Sequence, residues 1–202
     1  MTGLIAEPQP ERRTASVELG PASVDLGPAA TVDTGPAVLA RGEWPVGPAD
    51  TLPAIAGFVV SSFSPLVAEV AERCLTARYG TAPAATERTG VVLASVAGDV
   101  ATTDTVAAAL AAGRRVPPLL FFQSNPNAVV GYVTERWGLF GPVVCLSPAG
   151  DPYTDALEAA ALLLDDGAAD EVLVITADLA RGPGERDHAV AVLVGPATSR
   201  RW

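Results

Sequence analysis

The chain has 202 residues, enough for one ordinary domain and too few for two large ones. Its formal net charge is −10, which argues against nucleic acid or an anionic membrane surface as a partner. No apolar run approaches the roughly 20 residues of a membrane span, and the N-terminus lacks the pattern of a signal peptide. The two cysteines, Cys74 and Cys145, lie in apolar segments and are expected to be reduced thiols. We therefore expect a cytoplasmic protein.

Residues 1–33 are rich in proline, alanine and glycine, and Gly-Pro pairs begin at Gly20, Gly27 and Gly35, at spacings of seven and eight residues. This composition predicts a flexible arm. Short strands broken by Gly-Pro turns are the alternative interpretation. The folded domain is placed at residues 34–196, and residues 197–202 are expected to form a tail.

Apolar patterns that favour strands and helices alternate along this domain. Ala37 to Ala40 is predicted as a short first strand, and Trp44 to Pro53 as a loop. Helices are predicted over 64–79, 104–112 and 128–137, each followed by a glycine, and strands over 90–95, 143–146, 171–176 and 188–194. A hairpin-like connection is predicted over 181–187. The alternation indicates an α/β fold with a mixed, mostly parallel five-stranded sheet and helices on both faces.

The segment from Gly141 to Asp166 combines a buried strand, a turn rich in proline and glycine, and a helix from Asp155. Such a turn can present a nucleophile, because the unpaired N–H groups of a helix N-terminus stabilise negative charge. Between residues 156 and 164, apolar side chains cover nearly every direction around this helix. A helix that is apolar all round is normally covered on all sides. We therefore expect it to lie between two layers, one of them supplied by another chain.

Six segments occur in a recognisable order: GVVLAS at 90–95, TTDTVAAAL at 102–110, LLFFQSNPNAVVG at 119–131, WGLFGPVVCLSPAG at 137–150, DALEAAALLLDDGAADEVLVITAD at 155–178 and HAVAVLVG at 188–195. This series resembles the N-terminal half of the β-ketoacyl synthases, the thiolase-fold condensing enzymes of fatty-acid and polyketide assembly. The resemblance covers about residues 54–195. It implies a layered, thiolase-like half domain.

Two departures from the family bear on catalysis. The family places its nucleophilic cysteine nine residues after the glycine that matches Gly141, and this position is Gly150 here. Cys145 and Ser147 both precede it, so the resemblance implies that covalent acyl transfer is absent. The family's catalytic histidines lie in its C-terminal half, which the resemblance does not reach. The single histidine, His188, is interpreted as structural.

The resemblance therefore implies a non-catalytic subunit similar to a chain length factor. Such a subunit pairs with a ketosynthase as a heterodimer, or with a second copy as a homodimer, and an acyl carrier protein is a further candidate partner. In the family, subunits pair through the strand that matches Val143, Val144, Cys145, Leu146 and Ser147. The segment that matches Leu119, Leu120, Phe121 and Phe122 then lies over the partner's acyl tunnel. No metal or cofactor is implied.

Other interpretations stay open at this point. Leu119 to Phe122 could be core, and the strand at 143–147 could be internal. A small enzyme could use Asp151, Asp155 or Ser147 as acid or base on an acyl thioester, for dehydration or isomerisation. The simpler interpretation makes Asp155 a helix N-cap and Asp151 a solvated turn residue. The chain could also be one half of a split ketosynthase, or a folded remnant without activity.

Overall fold

The computed structural model describes residues 35–82 and 88–197. The proposed N-terminal arm, and the tail from residue 198, lie outside these residues. The strands of the described part are β1 (Ala37–Trp44), β2 (Thr89–Ala94), β3 (Val143–Leu146), β4 (Glu171–Asp178) and β5 (His188–Gly195). Its helices are α1 (Phe63–Tyr79), α2 (Val100–Ala111), α3 (Pro118–Gln123), α4 (Pro126–Trp137) and α5 (Pro152–Asp165).

The five strands form one sheet in the order β1-β5-β4-β2-β3. β2 pairs in parallel with both β3 and β4, whereas β5 runs antiparallel to its neighbours β4 and β1. β5 is therefore the strand that runs against the direction of the other four. The prediction of a mixed, mostly parallel sheet is confirmed, and so is the hairpin that joins β4 to β5.

Helices cover both faces of the sheet, as predicted. α1 and α4 pack on one face, where Leu66, Val70 and Trp137 are fully or almost fully buried. α5 packs on the other face, where Ala156 and Ala160 meet valines of the sheet. All six residues of β2 are buried. This explains why β2 has a continuous apolar run rather than an alternating one, since a strand covered on both faces has no side exposed to water.

β1 is longer than predicted and continues through Trp44. The added residues pair with β5 in register, ending with Trp44 opposite Ala189. Gly42 lies where β1 crosses α1, and a Cβ on this residue would come within 2.6 Å of Val70 O and Cys74 N. Only glycine fits so close a backbone approach. The pairing of β1 with β5 depends on tertiary contacts, which the local sequence does not reveal.

Two helices also differ from their predictions. α2 begins at Val100 rather than at residue 104, because the carboxylate of Asp99 accepts a hydrogen bond from Thr102 N–H at 3.0 Å and caps the helix. α3 was not predicted as a helix. It forms over the sequence PLLFFQ, directly after Pro117, and has a proline in its first turn.

Candidate functional site

β3 lies at one edge of the sheet. Among the described residues, β2 is its one neighbouring strand. The carbonyl oxygens of Pro142 and Leu146 accept hydrogen bonds from the amides of Val91 and Ser95, at 2.8 and 3.2 Å. Alternate residues of a strand direct their backbone groups to opposite sides, so the N–H and C=O groups of Val143 point away from the sheet. Within the described residues, β3 is therefore an edge strand and not an internal strand of the sheet.

The side chains of β3 divide between the two faces of the sheet. Val144 and Leu146 pack toward α5, whereas Cys145 packs toward α1 and α4. Val143 is 46% exposed, and Phe140, just before the strand, is 76% exposed. Phe140 follows Leu139 and precedes Gly141, and this local sequence gives no signal of its exposure.

α3 presents apolar side chains to the surface. Leu119, Phe121 and Phe122 are 48%, 74% and 62% exposed. Leu120 is half-buried, and the fully buried residue of this helix is the polar Gln123. The interpretation of the tetrad as core of this chain is therefore wrong for three of its four members. An apolar helix face exposed to this extent is typical of an interaction surface.

Gly150, which the resemblance predicts at the family's nucleophile position, lies in the turn after β3. The N–H group of Gly150 donates a hydrogen bond to Asp155 Oδ2 at 3.2 Å. A Cβ on residue 150 would lie 3.3 Å from Asp155 Oδ1. A side chain at this position would therefore contact the chain's own carboxylate. Glycine itself offers no nucleophile.

Asp151, not Asp155, is the N-cap of α5. Its carboxylate accepts hydrogen bonds from Thr154 N–H at 2.9 Å and from the Thr154 hydroxyl at 2.8 Å. The hydrogen bond from the Thr154 amide is the main cause that lowers the pKa of Asp151. The prediction of Asp155 as the cap was wrong because the helix begins at Pro152, three residues earlier than expected. Asp155 instead lies in the first turn.

These contacts bear on acid–base chemistry. A carboxyl group with a lowered pKa is ionised near neutral pH and is a poor proton donor. Asp151 also binds an N–H group in the first turn of α5, where a carboxylate stabilises the helix, and Asp155 binds the N–H group of Gly150 just before the helix. The geometry therefore gives both residues a structural role.

Cys145 and Ser147 line a cavity of about 370 Å³ at the ends of β2 and β3. The Ser147 hydroxyl donates a hydrogen bond to Val96 O at 3.1 Å. A backbone carbonyl is not a general base, so this contact does not activate the serine. Cys145 is a free thiol, and burial raises its pKa. Within residues 35–82 and 88–197, neither side chain has a hydrogen bond to a general base.

His188 is exposed at the start of β5, opposite Asp178 of β4. In residues 35–82 and 88–197, no group of three or more histidine, cysteine or acidic side chains is arranged to hold a metal ion. No helix in these ranges is long and apolar enough to cross a membrane.

α5 is not apolar all round. Ala156 and Ala160 face the sheet and are fully buried. The opposite side exposes Thr154, Glu158, Leu162 and Asp165. One exposed line of this helix is therefore mainly polar, so the expectation of an all-round apolar surface is wrong, and the covering of this side by another chain stays a prediction. Counting alanines and leucines overestimated the apolar surface, because it did not follow where each side chain points.

Comparison with known proteins gives one family. A family model described as beta-ketoacyl synthase, N-terminal domain, matches residues 37–184. No protein with a curated description matches the chain in sequence.

Three solved structures have a similar fold. The first is the ketosynthase (ApeO) in complex with its chain length factor (ApeC) from Xenorhabdus doucetiae, with 21% identity, a TM-score of 0.57, and coverage of 74% of this chain and 63% of that one. The second is the ishigamide ketosynthase/chain length factor, with 22% identity, a TM-score of 0.60, and coverage of 76% of this chain and 49% of that one. The third is a beta-ketoacyl synthase from Burkholderia phymatum STM815, with 17% identity, a TM-score of 0.62, and coverage of 74% of this chain and 47% of that one. The chain thus spans less than two thirds of each of these three.

Proposed function

The chain belongs to the β-ketoacyl synthase N-terminal domain family, and on this premise we propose that it is a non-catalytic subunit similar to a chain length factor. In this role it pairs with a ketosynthase of polyketide or fatty-acid-type assembly and helps to shape the acyl cavity. The ketosynthase supplies the nucleophile and the catalytic histidines. An acyl carrier protein delivers the acyl groups to the pair.

The observation that carries the proposal is the contact between Gly150 and Asp155. At the position that matches the family's nucleophile there is no side chain, and a carboxylate lies 3.3 Å from where a Cβ would be. A negative charge at this place disfavours a thiolate or an oxyanion. The helix N-terminus that would stabilise such an anion is already neutralised by the chain itself.

The edge strand β3 supports pairing with another subunit. Its outward N–H and C=O groups can extend the sheet into a partner, and the proposed contact residues are Val143, Val144, Cys145, Leu146 and Ser147. Unpaired edges of this kind promote aggregation unless another chain or a covering segment protects them. The exposed Phe140 and Val143 add apolar surface at the same edge.

The exposed face of α3 supports a role in limiting acyl length. Leu119, Phe121 and Phe122 project from this chain rather than into its own core. A bulky apolar wall at the end of a tunnel rejects additional methylene groups, at about 1–3 kcal/mol each. In the proposed complex, these side chains and Leu120 form such a wall in the partner's tunnel.

Co-purification tests the proposal. The tagged chain is co-expressed with the ketosynthase encoded nearest to it. The complex is isolated, and its molar mass is measured by light scattering. We expect a stable complex in which condensation depends on both chains. A chain that stays monomeric and binds no condensing enzyme encoded nearby would contradict the proposal.

The same complex separates this proposal from an acid–base enzyme. Asp151→Asn and Asp155→Asn keep side chains that can accept hydrogen bonds at the start of α5. We expect both variants to retain assembly and product formation. Loss of product with assembly intact would instead favour acid–base chemistry at these residues.

A further inference from the structure

Two adjacent arginines, Arg114 and Arg115, are exposed in the segment between α2 and α3. Five other arginines of the described part form ion pairs with carboxylates, whereas Arg181 and Arg186 do not; the five are Arg41, Arg73, Arg78, Arg88 and Arg136. Within residues 35–82 and 88–197, neither Arg114 nor Arg115 has an ion pair or a side-chain hydrogen bond. In a chain of net charge −10, two neighbouring unpaired cations create a local positive site.

The end of α2 does not account for these arginines. A helix C-terminus attracts positive side chains when its last carbonyl groups lack partners. Here the carbonyl oxygens of Ala108, Leu110 and Ala109 accept backbone N–H groups at 3.1, 3.0 and 2.8 Å. The backbone of the turn thus satisfies these carbonyls, and both guanidinium groups stay available for another contact.

Exposed apolar side chains flank the two arginines on both sides. Leu110, on the last turn of α2, is 64% exposed, and the exposed residues Leu119, Phe121 and Phe122 follow on α3. α2 and α3 pack against each other. We define this surface, formed by Leu110, Arg114, Arg115, Leu119, Phe121 and Phe122, as the basic apolar patch.

We propose that Arg114 and Arg115 of the basic apolar patch bind carboxylates of the partner ketosynthase at the rim of its acyl tunnel, next to the apolar side chains that the proposed function places in that tunnel. The inference rests on the proposed function, which places α3 over that tunnel. An interface with apolar groups at its centre and charges at its rim has this composition, and opposite charges on the two partners set register and selectivity. The partner therefore carries carboxylates opposite Arg114 and Arg115.

Charge and geometry disfavour two other occupants. α3 has six residues, too few to lie along a membrane surface as an amphipathic helix, and the net charge opposes anionic lipid. A second copy of the chain could offer the acidic outer side of α5, around Glu158 and Leu162. This contact joins two different surfaces, so it would extend into open chains rather than close into a dimer.

Charge reversal tests the inference in the complete complex. Arg114→Glu/Arg115→Glu is compared with Arg181→Glu/Arg186→Glu, an exposed arginine pair between β4 and β5 that gives the same change in net charge. Affinity for the ketosynthase is measured at several salt concentrations. We expect the first variant to bind about tenfold more weakly than the unaltered chain, with a shallower salt dependence, and the second to bind within about twofold.

Each result has one meaning. Thermal melting of both variants is measured to show that the fold is kept, and Arg114→Gln/Arg115→Gln is expected to fall between the unaltered and reversed chains. Equal binding by the two charge-reversed variants would overturn the inference and leave the proposed function standing. No binding by the unaltered chain would overturn both. Self-association that is lost in the first variant would assign the patch to a second copy instead.

Discussion

The N–H group of Gly150 lies 3.2 Å from a carboxylate oxygen of Asp155, in the first turn of α5. A Cβ on residue 150 would come within 3.3 Å of the other carboxylate oxygen, so the Asp155 side chain would shift slightly to admit a larger residue. The carboxylate places a negative charge beside this turn, and such a charge disfavours a thiolate.

Restoring a cysteine alone is therefore expected to restore little reactivity. In Gly150→Cys, the nearby Asp155 carboxylate disfavours the thiolate and keeps the thiol pKa at or above its ordinary value of about 8.5. In Gly150→Cys/Asp155→Asn this repulsion is removed, and we expect the thiol pKa to fall by roughly one unit. The rate of alkylation by iodoacetamide as a function of pH measures both values.

The unaltered chain provides the background for this measurement. Burial raises the pKa of Cys74 to about 11 and also raises that of Cys145, so both native thiols react slowly near neutral pH. A strongly lowered thiol pKa in Gly150→Cys alone would show that Asp155 does not control this position.

The cap at Asp151 predicts a pH-dependent contribution to stability. Its folded-state pKa is lowered, so its contribution is complete above the ordinary value of 3.8 and is lost as pH falls through the lower folded-state pKa. We expect Asp151→Ala to lower the melting temperature at pH 7, and the difference from the unaltered chain to shrink below pH 3.8. Asp151→Asn, which still accepts the cap hydrogen bonds, is the control. A constant difference at all pH values would contradict the assignment.

Sequence periodicity predicted the elements that pack by their own pattern. The predictions for β2 and for the glycine-ended helices α1 and α4 correspond closely to the structure. A strand buried on both faces has a continuous apolar run, and a helix buried on one face has a helical apolar period. The fold, similar to that of ketosynthases, is confirmed. The assignment of Gly150 to the family's nucleophile position stays a prediction, since it rests on a residue count from Gly141.

The remaining features depend on contacts distant in sequence. Local propensity could not show that Asp151 rather than Asp155 caps α5, because both acids lie close to the helix start. It also could not separate core from surface for Leu119 to Phe122, since four apolar residues in a row have no period. The outer side of α5 was misjudged for a related reason. Its orientation is fixed by the sheet, not by its composition.

Glu72 joins α1 to α4 through a cluster that has no proposed role in function. Its carboxylate accepts two hydrogen bonds from Arg136, at 2.8 and 2.9 Å, and one from Trp137 Nε1 at 3.0 Å. We expect Glu72→Ala to lower the free energy of unfolding by about 1 kcal/mol, a value reduced by the partial exposure of the ion pair. Denaturant titration measures this change, with Glu135→Ala on α4 as the control at less than about 0.5 kcal/mol. An equal effect of both changes would contradict the structural assignment of Glu72.

The proposed wall of the acyl tunnel predicts a change in product length. Phe121 is the most exposed side chain of α3, at 74%. In the complex with the ketosynthase, Phe121→Ala should shift the products toward longer chains, because removing the ring relieves a penalty of about 1–3 kcal/mol per methylene group. Mass spectrometry of the released chains measures the shift. Val59→Ala, at a residue 73% exposed outside α3, is expected to leave the distribution unchanged.

If Phe121→Ala gives the same products as Val59→Ala, α3 does not line the tunnel. Loss of the complex in Phe121→Ala would show instead that the ring serves assembly. The distinction is made by light scattering on the same samples.

The central claim is that the chain joins its partner through β3, and the two edges of the sheet allow a matched test. Val143 on β3 is 46% exposed, and Val38 on the opposite edge strand β1 is 59% exposed. Sedimentation velocity of the chain mixed with the ketosynthase compares Val143→Asp with Val38→Asp. We expect Val143→Asp to abolish the complex and Val38→Asp to retain it. A complex that survives Val143→Asp as well as it survives Val38→Asp would show that β3 is not the site of pairing.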